Sequence, residues 1–368
     1  MPARYLSRLR LSHFRNYASA ALDLDSRHLV LTGPNGAGKT NLLEAVSLLA
    51  PDRGMRRAPF DELASHGSDG AWAVAVTVET PDGPADIGTG LTVGDAARKV
   101  RINGATARTV EEISDYLRVL WLTPSMDGLF TGPASDRRRF LDRLVTTLVP
   151  RHSATVGDFD KAMRQRNRLL EDQHDPLWLD AIEAQMAESA AALHFARVDC
   201  LIHLDELIAE GEEGDFPRAH LALTPFLPSA VPQAAAELEA DLRTLWREAR
   251  PVDRAAGRTL SGPHRIDFEV RYAQKDVPAA LGSTGEQKAL LVGLVLAHAR
   301  LVARMTGITP FLLLDEIAAH LDPDRRAALF AALDALDTQC FMTGTDSLLF
   351  ESLAQRAQVY TVKDGRLS

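Results

Sequence analysis

The chain predicts an α/β protein of the phosphate-loop class, a mixed-sheet nucleotide-binding lobe interrupted by an inserted helical lobe. Three observations carry that prediction. Gly33-Pro34-Asn35-Gly36-Ala37-Gly38-Lys39-Thr40 follows the apolar run His28 to Leu31 and opens a helix-like stretch, Asn41 to Ala50. This is the Gly-x4-Gly-Lys-Thr loop in its strand, loop and helix setting. Apolar residues recur at threes and fours through the middle of the chain, the spacing of amphipathic helices. The C-terminal part alternates short apolar runs with helices, the pattern of a parallel sheet.

At 368 residues the chain can build two domains, or one nucleotide-binding domain with a large insertion. Its 46% apolar and 25% charged residues are those of an ordinary globular protein. Ala289 to Ala297 is the longest apolar run towards the C-terminus, too short to span a bilayer. Arg4, Arg8, Arg10 and Arg15 interleave with apolar residues and leave no signal-peptide core, so a cytoplasmic protein without a membrane partner is expected. Cys200 and Cys340 have no CxxC or His companions and read as reduced core thiols. A net charge of −9 excludes a uniformly basic nucleic-acid binder. It leaves open a local basic surface, since Arg137 to Arg168 is rich in Arg and Lys, while Asp205 to Asp215 and Glu237 to Asp241 are acidic.

Strands are expected at Tyr5 to Leu11, His28 to Leu31, Ala71 to Glu79, Ile87 to Val93 and Lys99 to Ile102. Asn103-Gly104 is a hairpin turn leading into a further strand, Thr106 to Val110. Val119 to Leu122 is a buried strand ended by Pro124. Helices follow at Asp136 to Leu148 and Asp158 to Glu171. Asp175-Pro176 supplies an N-cap and a first-turn proline for a helix reaching Ile208, about eight turns at the 3.6-residue period. Two helices around His174-Asp175-Pro176 suggest a short antiparallel arm. Pro217 to Pro232 reads as a connection, and Ala234 to Ala249 as a helix. Phe268 to Tyr272, Phe311 to Leu314, Cys340 to Thr343 and Val359 to Val362 read as strands. Gly285 to Thr306 and Pro323 to Leu336 read as helices. The expected division is an ATPase lobe over 1–123, a helical lobe over 124–260, and a return to the ATPase lobe over 261–368.

The glycines of the loop let consecutive backbone N–H groups and the N-terminus of a helix face nucleotide phosphates. Within Gly33 to Asn41, Lys39 would meet the β and γ phosphates of a nucleoside triphosphate and Thr40 would give magnesium an oxygen ligand. Phe311 to Leu314 ends in Asp315-Glu316. In a chain with a phosphate loop, an Asp at a buried strand tip holds magnesium, and the Glu beside it polarises the attacking water. Ser283-Thr284-Gly285-Glu286-Gln287 starts a long helix whose N-terminus offers a second anion site, although a plain capping box explains the same residues. Asp322 likewise reads as an N-cap on its own.

The order of these elements resembles the ATP-binding-cassette plan of SMC and recombination-repair ATPases. More narrowly, the chain resembles the RecF family of bacterial DNA replication and repair proteins. The likeness rests on Leu9-x-Leu11-x-x-Phe14-Arg15-Asn16-Tyr17, Gly36 to Ala45, and Gly132 with Arg137-Arg138-Arg139-Phe140-Leu141-Asp142. Ser261-Gly262-Pro263-His264-Arg265 and Gly282 to Lys288 complete it. The resemblance implies that Ser283, Gly285 and Asp322 close over ATP held by a second subunit. It also implies a DNA-binding protein that acts at single-stranded or gapped DNA with the RecO and RecR proteins, helps load recombinase and supports the damage response. Two departures stand out. No Gln precedes Gln165, so the usual Gln loop is replaced by Pro124-Ser125-Met126-Asp127. Thr343-Gly344-Thr345-Asp346 stands where transporters carry a His, so slow turnover is expected.

Candidate DNA contacts are Arg137, Arg138, Arg139, Lys161, Arg164, Arg166 and Arg168, with Arg98, Lys99 and Arg101 on the hairpin. A charged helix face is usually just solvated, and Arg138 or Arg139 could instead pair with acids across the lobe interface. Arg56 and Arg57, which follow the loop helix, could reach nucleotide or DNA as readily as serve a structural role at the surface. A transporter ATPase is the alternative, disfavoured by the missing His, the helical arm and the long separation of Lys39 from Ser283. A metabolic kinase would leave the Ser283 helix unexplained.

Overall fold

The computed structural model describes residues 3–95, 97–172, 176–211, 216–227 and 234–368. In chain order its elements are β1 (Tyr5–Phe14), β2 (Tyr17–Asp23), β3 (His28–Thr32), α1 (Lys39–Ser47), β4 (Trp72–Glu79), β5 (Ala85–Leu91), β6 (Lys99–Ile102), β7 (Ala105–Thr106) and β8 (Val119–Leu122). There follow α2 (Ala134–Leu148), α3 (His152–Glu171), α4 (Pro176–Glu210), β9 (Ala219–Leu223), α5 (Ala235–Ala256), β10 (Phe268–Tyr272) and β11 (Val277–Pro278). The last are α6 (Thr284–Thr306), β12 (Phe311–Leu314), α7 (Pro323–Ala335), β13 (Cys340–Gly344), β14 (Ala357–Lys363) and β15 (Arg366–Leu367). These form two compact units. The first holds the described residues of Met1–Asp127, Glu212–Arg218 and Ser283–Ser368; the second holds Gly128–Gly211 and Ala219–Gly282.

The first unit contains two six-stranded sheets. One is antiparallel, in the order β2-β1-β4-β5-β6-β7, and β4 alternates buried and outward residues as a half-covered strand should. The other runs β15-β14-β3-β13-β12-β8 and is parallel except for the β14–β15 hairpin. Every residue of β3, β8, β12 and β13 is buried, which is what a parallel sheet covered on both faces requires. Leu42, Leu43, Val46 and Leu49 of the α1 region join Leu9, Leu31, Val74 and Phe341 in one core. By length and apolar content the 23-residue α6 is able to cross a membrane, which the broken run at His298 conceals. Yet 67% of its most apolar window is buried inside the fold, so it is a core helix.

The second unit packs α3 and α4 along each other with α5, around Phe159, Met186, Ala190, Leu238, Leu242 and Trp246. It also holds a three-stranded antiparallel sheet, β11-β10-β9. Here the architecture departs from expectation. Residues 261–282 fall in this unit and not in the ATPase lobe, because β10 pairs with β9 across the sequence (Val270 opposite Leu221). β9 lies between prolines and read as connection. The Asp175 cap, the turn at His174 and the stretch 228–233 of that connection lie outside the described residues, as do 212–215 of the acidic tract. α5 runs on through Pro251 to Ala256. Proline removes one helical hydrogen bond, but Asp253 is anchored from outside the helix by Arg166 and by the Leu260 N–H. Beyond Asn103-Gly104, both with positive φ as a tight hairpin needs, only Ala105–Thr106 is strand, and Val110 instead opens a short 3-10 helix.

Candidate nucleotide site

The phosphate loop leaves β3 in the middle of the parallel sheet and enters α1 at Lys39. Two of its glycines are required. A Cβ on Gly33, at φ 137°, would stand 2.2 Å from the Val362 carbonyl oxygen. One on Gly38, at φ 115°, would stand 2.5 Å from Asn16 Nδ2. Asn16 donates to the Ala37 carbonyl at 3.1 Å, and the Tyr17 hydroxyl donates to that of Gly38 at 3.0 Å. Burial pushes the Tyr17 phenol up to about 12, so it stays a neutral donor. Asn16 also accepts from Asn41 at 2.7 Å. Arg15 holds the buried Glu44 of α1 through two bonds of 2.7 and 2.9 Å, and Arg56 joins Glu44 and Asn41. The Phe14 to Tyr17 turn is thus a clasp on the loop, a role that sequence reading missed although the motif itself was visible.

Lys39 is buried and donates to the Gly33 and Pro34 carbonyls at 2.7 and 3.0 Å, which holds its ammonium over the loop. Pro34, Asn35 and Gly36 are exposed at the loop's outer edge. Thr40 Oγ1 donates to Asp315 Oδ1 at 3.0 Å, although the two are 275 residues apart. These two oxygens beside a glycine-built cradle and a lysine fit a magnesium ion carried by a nucleotide, which takes few protein ligands.

β13 lies between β3 and β12, and Leu314 pairs with Met342, so Thr343 stands level with Asp315. Thr343 Oγ1 donates to Asp315 Oδ1 at 2.7 Å and accepts from the Glu316 N–H at 2.9 Å. Glu316 follows with φ 55°, a left-handed conformation that is costly for a residue with a side chain and is found where surroundings enforce it. Thr343 was visible from sequence only as the lack of a His; its bonding emerges only once β13 is known to be the middle strand.

Ser283 caps α6 and forms a full capping box with Glu286, while Ser283 and Gly285 are both exposed. Asp322 caps α7, and Arg325 of that helix donates to the Gly285 carbonyl at 3.3 Å. Asp315 N–H donates to the Leu122 carbonyl, so the segment after β8 lies beside the carboxylates. There Asp127 takes both its oxygens to within 3.2 Å of Lys288 Nζ on α6. Within one unit, then, the loop, Asp315, Glu316, the β8 tail and the start of α6 are contiguous.

The basic candidates divide. Arg166 has no exposure and bonds Glu183, Asp253, Thr259 and the Trp246 carbonyl, so it is withdrawn as a DNA contact. Arg137 forms two 2.7 Å bonds to Asp267, which pull that carboxyl below the usual range, and it also donates to the Gly132 carbonyl. Arg138 is held by the Ile266 carbonyl. Both are structural ties of the second unit. Arg98 is buried, donating to the Leu48 and Ala50 carbonyls at the end of the α1 region, and is withdrawn as well. Arg139, Lys161, Arg164 and Arg168 are exposed, as are Lys99 and Arg101.

A phosphate loop and an Asp-Glu strand tip on one parallel sheet, with a serine-capped helix in the same unit, define a phosphate-loop ATPase fold of the SMC-head kind. The solved structure of an SMC head domain with an extended coiled coil, from Pyrococcus furiosus, aligns with a TM-score of 0.53 and 16% identity, covering 99% of this chain and 95% of that one. A structure of the recombination mediator protein RecF with ATPγS aligns at 0.86 with 21% identity, covering 100% and 98%. The family described as the RecF/RecN/SMC N-terminal domain matches residues 5–368. The DNA replication and repair protein RecF of Rhizobium meliloti (strain 1021) is 55% identical over 99% of this chain and 98% of that relative. The chain belongs to the RecF family.

Proposed function

We propose that the chain is an ATP-dependent DNA-binding protein of recombinational repair and replication that dimerises around ATP and hydrolyses it slowly. The observation that carries this reading is the meeting of Thr40 with Asp315 at the phosphate loop, with Glu316 held beside them. Lys39 and the loop N–H groups would bind the triphosphate, and Thr40 and Asp315 would hold magnesium, which would neutralise phosphate charge. Glu316 accepts a proton from the attacking water. The exposed Ser283 and Gly285 at the N-terminus of α6, with Asp322, meet the nucleotide of a second copy. Support for the DNA, RecO and RecR side comes from the names of the relatives and from the RecFOR pathway in which the RecF structure is described. Of the exposed cations, Arg139, Lys161, Arg164 and Arg168 on the helices are the phosphate contacts on single-stranded or gapped DNA.

Sizing the protein with and without ATP tests the reading. Wild type should dimerise only with ATP. Lys39→Ala, which removes a charge-assisted phosphate contact, should lose at least about tenfold in ATP affinity and fail to dimerise. Ser283→Arg should bind ATP but stay monomeric, and Glu316→Gln should persist as a dimer. A Ser283→Arg protein that dimerises like wild type refutes the shared site.

A further inference from the structure

We infer that Thr343 is a positioning residue for the magnesium carboxylate and the catalytic carboxylate together, a role that rests on the nucleotide reading above. Its hydroxyl is buried, with the residue 1% exposed, and makes two bonds of opposite sense. It donates to Asp315 Oδ1 at 2.7 Å and accepts from the N–H of Glu316 at 2.9 Å. One oxygen therefore fixes the carboxylate of one residue and the backbone of the next.

The fold explains why this position needs help. β12 ends at Leu314, and Asp315 continues its line, but Glu316 turns into the left-handed region at φ 55°. A turn between two adjacent acidic residues moves their side chains relative to each other unless something holds both. β13 is the strand between the phosphate-loop strand and the Asp-Glu strand, so its residue level with Asp315 can reach both groups. Asp315 Oδ1 also accepts from Thr40 at 3.0 Å. A Thr40 that turns its oxygen to a metal gives up that bond, and Thr343 is then the donor that keeps the carboxylate aimed. Serine has the same hydroxyl and valine the same shape without it, so the role is separable from packing.

The test compares Thr343→Val with Thr343→Ser. Affinity for a fluorescent non-hydrolysable ATP analogue is measured in excess magnesium and again in excess EDTA, alongside thermal melting and turnover. Wild type must bind the analogue more tightly with magnesium; if it does not, the nucleotide reading itself fails. Given that, Thr343→Val should lose about 10- to 100-fold in the magnesium-dependent gain of affinity, the usual effect of removing an outer-sphere partner of a metal ligand. Its affinity in EDTA should stay within about twofold of wild type, since the loop's own N–H groups and Lys39 are untouched. Thr343→Ser should recover most of the gain and of the turnover. The inference is overturned if Thr343→Val keeps the wild-type magnesium gain, or if it loses affinity equally with and without magnesium. It is also overturned if serine restores melting temperature but not the magnesium gain.

Discussion

Arg166 carries its charge at a position without exposure, and the charge is balanced by Glu183 and Asp253, both buried. Glu183 keeps a second cation in Arg250, but Asp253 has Arg166 as the cation at 2.7 Å. Removing one partner of such a pair strands the other in low dielectric, so Arg166→Met should cost about 3 kcal/mol and lower the urea midpoint. Replacing Lys161, Arg164 and Arg168 together by Gln should leave stability within about 0.5 kcal/mol per site. The triple variant should instead flatten the fall of DNA affinity with salt, by roughly 0.7 to 0.9 in logarithmic slope for each phosphate it no longer neutralises. A stable Arg166→Met protein with weakened DNA binding would reverse this division. The sequence contained part of the answer. Phe159, Ala162, Arg166 and Leu170 recur at threes and fours, which places the arginine on the buried stripe of α3. Its acid partner, 87 residues further along, could not be read from spacing. The placement of Lys39 and Thr40 at the start of α1 was legible for the opposite reason, since their loop is local and its geometry follows from glycine spacing.

At the scale of elements, α6 was bracketed to within a residue because both its ends carry chemical stops. Ser283 and Glu286 form the capping box, and Gly307 ends the helix at φ 71°. β9 carries no such signal, since its pairing to β10 is non-local and prolines flank it. What α6 touches was equally hidden. The ion pair between Lys288, 6% exposed, and Asp127 depends on β8 lying next to β12. It ties the start of α6 to the segment that takes the place of the Gln loop, one helical turn or so beyond Ser283. Either Lys288→Met or Asp127→Asn should therefore leave ATP-analogue binding to the monomer within about twofold. ATP-driven dimerisation should weaken on the order of tenfold, a coupling of about 1.4 kcal/mol. Lys288→Arg, which keeps the charge, should recover much of it. Sedimentation of the variants across a protein concentration series checks the point, and unchanged dimerisation in both single variants would reduce the pair to a local support.

For the whole molecule, the order of phosphate loop, inserted helices, serine-capped helix and Asp-Glu strand was legible, whereas the extent of the second unit was not. That extent hinges on 261–282 joining a sheet begun at β9. Each unit also holds a neutral histidine, buried in the first and half-buried in the second, and this sets how the protein meets acid. In the first unit His28 accepts from the Cys340 N–H and lies 3.3 Å from Asp334; burial, aided by Arg356, pushes it down to about 4. In the second unit His264 is within hydrogen-bond distance of the Thr259 carbonyl and stacks near Phe159. Loss of solvent, helped by Arg265 and Arg138, outweighs the Thr259 carbonyl and Asp253, which favour the charged form, and brings it down to about 4. An unfolded histidine titrates near 6.5, so between about pH 6.5 and 4 the unfolded chain binds more protons than the folded one. Each histidine's contribution to stability is therefore constant above that window and falls as pH drops through it, by up to about 3 kcal/mol for the buried His28 and by less for the half-buried His264. Asp142 does not mask the effect. Burial opposes its ionisation, but Arg197 and His152 outweigh that and bring it down to about 2, so its contribution is lost only at lower pH. His28→Asn keeps an acceptor for Cys340, and His264→Gln keeps a donor for Thr259. Each should flatten the decline in melting temperature between pH 7 and 4.5, and if the two units melt separately each should act on its own unit's transition alone. Wild-type melting that is level across that range, or variants that retain the full slope, would show that neither imidazole governs the acid limb.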